Sequence, residues 1–151
     1  MWKLKNNRYL CANMGRIIAI DYGKKRTGVA VSDPMKLIAG GLTTLSSSEV
    51  IPFLKQYITE NKVDICLLGE PRQMNYQHSE NWNRVMQFKK DLQKFFPEME
   101  VQMIDERFTS VLAHQAMREG GLKKKDRQNK ALVDELSATI LLQSYLETIK
   151  Q

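Results

Sequence analysis

Residues 16–33, RIIAIDYGKKRTGVAVSD, constrain the fold more than any other stretch. Two short apolar runs, RIIAID (16–21) and TGVAVSD (27–33), are separated by a turn framed by Gly23 and Gly28, which is the pattern of a hairpin. Asp21 closes the first run. An unpaired carboxylate at the end of a core strand is costly to desolvate, so the fold has to compensate it. Lys24, Lys25 and Arg26 follow in the turn and put positive charge beside that acid, where the two glycines relieve backbone crowding. Nucleotide-loop patterns do not explain the run. A Walker loop would need Gly at position 18 and Ser or Thr at 25, where the chain has Ile18 and Lys25, and G-x-G-x-x-G is absent.

Downstream of the hairpin the patterning alternates between strand and helix. GLTTLS predicts a third strand, and residues 48–60, SEVIPFLKQYITE, follow a helical period with Ser47 or Ser48 as cap. VDICLLG (63–69) reads as a buried strand closed by Gly69 and Pro71. From Ser79 to Phe96 the apolar residues Trp82, Val85, Met86, Leu92, Phe95 and Phe96 fall at helical spacing and stop at Pro97. VQMID is the fifth strand. A helix from Ser110 to Glu119 ends at Gly120 and Gly121, and the basic segment KKKDRQNK leads into the apolar helix ALVDELSATILLQSYL. The order βββ-α-β-α-β-α-α predicts an α/β domain, a mixed sheet with a parallel portion covered by helices.

A chain of 151 residues fits one such domain, so a two-lobed cleft would need its second lobe from elsewhere. The formal charge of +6 favours an acidic partner, nucleic acid before membrane. Cys11 and Cys66 are far apart, and His78 and His114 are isolated, which argues against a zinc site and for a reducing, cytoplasmic compartment. No apolar run approaches a membrane span, and MWKLKNNRYLCAN lacks the apolar middle of a signal peptide. Residues 1–13 are polar, basic and unpatterned, so they are expected to be a disordered extension or the product of an upstream start-codon assignment, and 14–151 a single domain.

Carboxylates mark the ends of three elements. Asp21 ends the first strand, Glu70 the fourth, and Asp105 with Glu106 the fifth, while Asp134 shares a face of the last helix with Ala138, Leu141 and Tyr145. In open α/β sheets the functional crevice lies beyond the carboxyl ends of the parallel strands, where these acids could meet. Singly each has a structural role open to it: a turn cap for Asp21, an ion pair of Asp105 with Arg107, a helix-start acid for Asp134. Jointly they point to a site for hard divalent ions, whose oxygen-ligand chemistry suits phosphodiester cleavage.

AIDYGKKRTGVAVSDP, LLGEPRQM, DERFTS and KKKDRQNKALVDELSATILLQSYL, in this order and spacing, strongly resemble the YqgF family, also called RuvX, of Holliday-junction-resolvase-like proteins. The resemblance covers Met14 to nearly the C-terminus. It implies an RNase H-like fold, a five-stranded mixed sheet with helices on both faces, and a metal-dependent nuclease that matures the 5′ end of 16S rRNA. By the same resemblance Asp21, Glu106 and Asp134 are the catalytic and metal-holding acids, for Mg²⁺ or Mn²⁺, as two ions. Glu70 departs from the family's usual apolar residue and is a further candidate ligand. Lys24, Lys25, Arg26, Arg107, Lys123, Lys124 and Lys125 are the expected contacts to the nucleic-acid backbone. The expected partners are precursor rRNA, or branched DNA, and ribosomal particles, with no membrane, for a monomer or weak homodimer. Two other readings stay open. A nucleotide-binding module could use the same D-x-G-x-x-x-x-G hairpin, which also occurs in the sugar kinases and the actin and Hsp70 ATPases, and an RNA-binding assembly factor could use the scaffold without catalysis.

Overall fold

The computed structural model describes residues 15–71, 81–105, 115, 118–121 and 129–149. The predicted hairpin is present as β1 (Arg16–Tyr22) and β2 (Arg26–Ser32), antiparallel, with Ile18, Ala19 and Ile20 opposite Val31, Ala30 and Val29. β3 (Ala39–Ser46) continues the meander along β2 and begins two residues before the predicted GLTTLS. Ala39 and Gly40 carry almost no strand signal of their own, and pairing with Ser32 and Val31 extends the strand over them.

A 3-10 turn, Ser47–Glu49, leads into α1 (Val50–Glu60), then β4 (Val63–Glu70), α2 (Trp82–Phe95), β5 (Glu100–Asp105) and α3 (Lys130–Ile149). β4 lies parallel to β1 and β5 parallel to β4, which gives the sheet order β3-β2-β1-β4-β5. Of the helix expected from Ser110 to Glu119 only residues 115, 118 and 119 are described, and they are helical; its other residues and all but the last two of the KKKDRQNK segment lie outside the described residues.

Strand alternation divides the core into two layers. Ile18, Ile20, Cys66 and Leu68 face α1 and α2, where Val50, Leu54, Val85, Phe88 and Leu92 close over them. Ile17, Ala19, Ala30 and Leu67 face the other way and are covered by Ala138, Leu141, Leu142 and Leu146 of α3. The sheet is thus buried on both sides, as its near-continuous apolar strands require. No helix among the described residues is long and apolar enough to cross a membrane.

Ser47 does not cap α1. The N-cap position is Glu49, without a side-chain cap bond, because α1 starts two residues later than the apolar period implies. The Ser47 hydroxyl instead donates to the Gly23 carbonyl at 2.6 Å and lies 2.8 Å from Thr27 Oγ1, and its N–H donates to the Lys25 carbonyl at 3.0 Å. With the Gly23 N–H bonded to the Arg26 carbonyl at 3.0 Å, the backbone of the basic turn is fastened at both ends. Gly23 is required there by space, since a Cβ would lie 2.5 Å from the Arg26 carbonyl oxygen.

Candidate active site

The site is built where α3 crosses the hairpin. Asp21 pairs with Gly28 across β1 and β2, two residues beyond the Ala19–Ala30 pair that packs under α3. Residues directly opposite in an antiparallel ladder share a face, so Asp21 projects to the α3 side. Tyr22, next along β1, confirms the parity, because its ring stacks on Phe88 of α2 on the other side at 4.2 Å.

Gly28 is the seat of the helix. A Cβ at this position would collide with the Asp134 carbonyl group and lie 2.9 Å from the Glu135 amide nitrogen, so the backbone of α3 rests directly on β2. Two further contacts hold the first turns of α3. Thr44 Oγ1 donates to the Ala131 carbonyl at 2.7 Å, and Asn129 Oδ1 accepts the Ala131 and Leu132 N–H groups at 3.1 and 3.4 Å, a side-chain N-cap. Asp134 is thereby placed against the β2 residue that pairs with Asp21.

The Asp134 carboxylate is partly enclosed, and Arg26 Nε donates to its Oδ2 at 3.0 Å. Burial raises its pKa, while the hydrogen bond and charge of Arg26 and the charge of Lys130 oppose the shift without cancelling it. Burial is thus the dominant influence on this carboxyl group. Around the pair, Gly23, Lys24, Lys25, Arg26, Lys130 and Asp134 line an open depression of about 390 Å³. Four cations and one carboxylate give the depression a net positive charge.

The other strand-end acids point away from this place. Glu70 and Asp105 are paired across β4 and β5, two residues beyond Leu68 and Met103, which pack in the α1–α2 layer. Alternation puts both acids on the face opposite Asp21 and Asp134. The acids thus divide between the two sides of the sheet, Asp21 and Asp134 on one and Glu70 and Asp105 on the other. Glu106, Arg107 and Lys123 to Lys125 lie outside the described residues.

Comparison with known proteins matches residues 15–148 to the family model described as RuvX, Holliday junction resolvase. The chain belongs to the RuvX family. A Phocaeicola vulgatus protein named "Putative pre-16S rRNA nuclease" is 58% identical over 137 residues, covering 91% of this chain and 99% of its own. One of the same name from Flavobacterium psychrophilum is 54% identical over 133 residues, covering 88% and 97%. Among solved structures, T. thermophilus RuvC in complex with a Holliday junction substrate aligns with a TM-score of 0.54 at 13% identity, over 89% of this chain and 96% of that one. That likeness shows the fold, which is RNase H-like.

For this RuvX family member the structure adds two residues that the sequence did not connect with the site. Lys130 joins the basic depression. Ser47 ties the basic turn in place. Their only sequence signals were a serine before a helix and a lysine at the end of a basic run.

Proposed function

We propose that the chain is a divalent-metal-dependent endonuclease that cleaves phosphodiester bonds in precursor 16S rRNA. The observation that carries this reading is the seating of α3 on Gly28, with Asp134 against the β2 residue that pairs with Asp21, next to a basic depression. The names of the relatives supply the substrate. Asp21 and Asp134 are both carboxylates, the donors that hard ions such as Mg²⁺ and Mn²⁺ take while keeping several waters. Among the described residues no group of three or more His, Cys, Asp and Glu side chains is close enough to hold a metal. In this reading the third donor is Glu106, at the family's D-E-R-x-T position, and Glu70, on the opposite face, takes no part.

When bound, the metal supplies an activated water and charge neutralisation at the leaving oxygen. The protein's own residues do the rest. Asp21 and Asp134 orient the ion from two elements whose spacing is fixed by backbone contact. Lys24, Lys25 and Lys130, with Arg107 and Lys123 to Lys125, hold the phosphate backbone, which positions the substrate without selecting bases. The setting is the cytoplasm, in keeping with Cys66 as a buried free thiol.

The test is incubation with precursor 16S rRNA and four-way junction DNA side by side, in Mg²⁺, in Mn²⁺ and in chelator. Cleavage of the RNA that stops in chelator is expected. Cleavage of junction DNA alone would overturn the substrate, and cleavage that persists in chelator would overturn the metal. RNA binding that survives chelation with no cleavage in any condition would make the chain an assembly factor.

A further inference from the structure

Arg26 differs from the other cations of the turn. Lys24 and Lys25 are exposed and make no ion pair among the described residues, whereas Arg26 reaches Asp134 across a sequence separation of 108 residues. The contact is single. It uses Nε and Oδ2, and among the described residues the two terminal guanidinium nitrogens have no acceptor and Oδ1 has no donor. Guanidinium–carboxylate pairs are frequently two-bond forks, which add energy and fix geometry. This one uses one of the five guanidinium N–H donors and one carboxylate oxygen, at the depression that both residues line with Lys24, Lys25 and Lys130.

The backbone beneath Arg26 cannot follow its side chain. Three hydrogen bonds between the turn and Ser47 and the Gly23–Arg26 bond pin residues 23–27. The Arg26 side chain is 40% exposed and the Asp134 side chain 26%, so the pair sits at the boundary of the site, where the guanidinium can leave the carboxylate by rotamer change alone.

We propose that Arg26 is a tethered stand-in cation: it neutralises Asp134 while no divalent ion is bound, and transfers to a substrate phosphate when the ion takes that place. The inference rests on the metal reading above. It separates Arg26 from a residue that orients Asp134 permanently, because the two roles give opposite signs. A stand-in competes with the ion, so its removal tightens metal binding. A permanent orienter supports the ligand, so its removal weakens metal binding.

The experiment is calorimetric titration of the full chain with Mn²⁺ alone, followed by binding of a labelled single-stranded RNA in Ca²⁺. Wild type is compared with Arg26→Gln, Arg26→Lys and Lys94→Gln, the last removing one charge in the final turn of α2, outside the site. Arg26→Gln is expected to bind Mn²⁺ about two- to fivefold more tightly, the scale of a half-exposed ion pair, and to bind RNA more weakly. Lys94→Gln should change Mn²⁺ affinity little, and Arg26→Lys, which keeps a competing charge, should stay near wild type. If Arg26→Gln does not fold, Arg26→Lys decides: Mn²⁺ affinity near wild type agrees with a stand-in, and a marked loss indicates an orienter. Equal or weaker Mn²⁺ binding by a folded Arg26→Gln overturns the proposal. If wild-type binding is lost in Asp21→Asn but unchanged in Arg26→Gln, the metal reading stands and the stand-in role falls. No Mn²⁺ binding by wild type overturns both.

Discussion

Replacing Gly28 by alanine adds one methyl group at the place where the account is most exposed. The new Cβ would lie 2.9 Å from the Glu135 nitrogen and closer still to the Asp134 carbonyl, whereas ordinary contact begins at 3.4 Å. Both obstacles are helix backbone, which has no rotamer with which to give way. α3 must therefore withdraw by about half an ångström at Glu135 and further at Asp134, an overpacking that costs about 1–3 kcal/mol. In a domain of this size that lowers the thermal midpoint by roughly 3–10 °C. The effect on activity should be larger, because a displacement of about 1 Å in a reacting geometry can lower a rate on the order of 100-fold. Leu146→Ala is the control. Leu146 is fully buried further along α3, so its truncation should destabilise by about 2–5 kcal/mol and leave the rate of the folded fraction intact. The assays are thermal unfolding and single-turnover cleavage at a temperature where both variants are folded. A Gly28→Ala protein with the wild-type midpoint and rate would refute the seating argument.

Other outcomes follow from the same structure. Burial pushes the Cys66 thiol up to about 12, so in a Cys11→Ser background it should resist a disulfide reagent at pH 8 in the native chain and react fully in denaturant. Rapid native labelling would contradict its place between sheet and helices. Slight burial pushes the Asp33 carboxyl upward, but the Ile38 and Leu37 N–H groups, each bonded at 2.8 Å, hold it below the usual range. Its folded pKa is thus the lower one, so its stabilisation is complete above the unfolded carboxylate pKa and fades as pH falls through the folded value. The stability difference between wild type and Asp33→Asn, from denaturant titrations, should be full at pH 6 and shrink at acid pH; a difference that grew with acid would be wrong for this geometry. Deleting residues 1–13 should leave the thermal midpoint unchanged, since the family match starts at residue 15, and a large drop would refute it.

The hairpin, the buried fourth strand and the apolar stripe of α3 were legible because each is a local period: alternation about a glycine-framed turn, a short apolar run, a repeat at helical spacing. The same stripe placed Asp134 toward the sheet, as found. Sidedness was not legible for Glu70. CLLG is apolar on both faces, so the run carries no alternation from which to count parity, and one residue of register decides whether a strand-end acid meets Asp21 or turns its back on it. Arg26 was singled out as a phosphate contact because its sequence neighbours are lysines, and its bond to Asp134 depends on how α3 crosses the sheet. Ser47 has the signature of a helix cap, yet the fold brings the Gly23 carbonyl within reach of its hydroxyl, which has one proton to give. Local chemistry names candidates, and the long-range packing chooses their partners.

The central claim is that the acids on the α3 side of the sheet, and not those on the other side, hold the metal. Mn²⁺ titration of wild type, Asp21→Asn, Asp134→Asn and Glu70→Gln, each shown to be folded, tests it directly. The account predicts saturable binding in wild type and Glu70→Gln and its loss in Asp21→Asn and Asp134→Asn. Binding retained in Asp21→Asn, or abolished in Glu70→Gln, would contradict it.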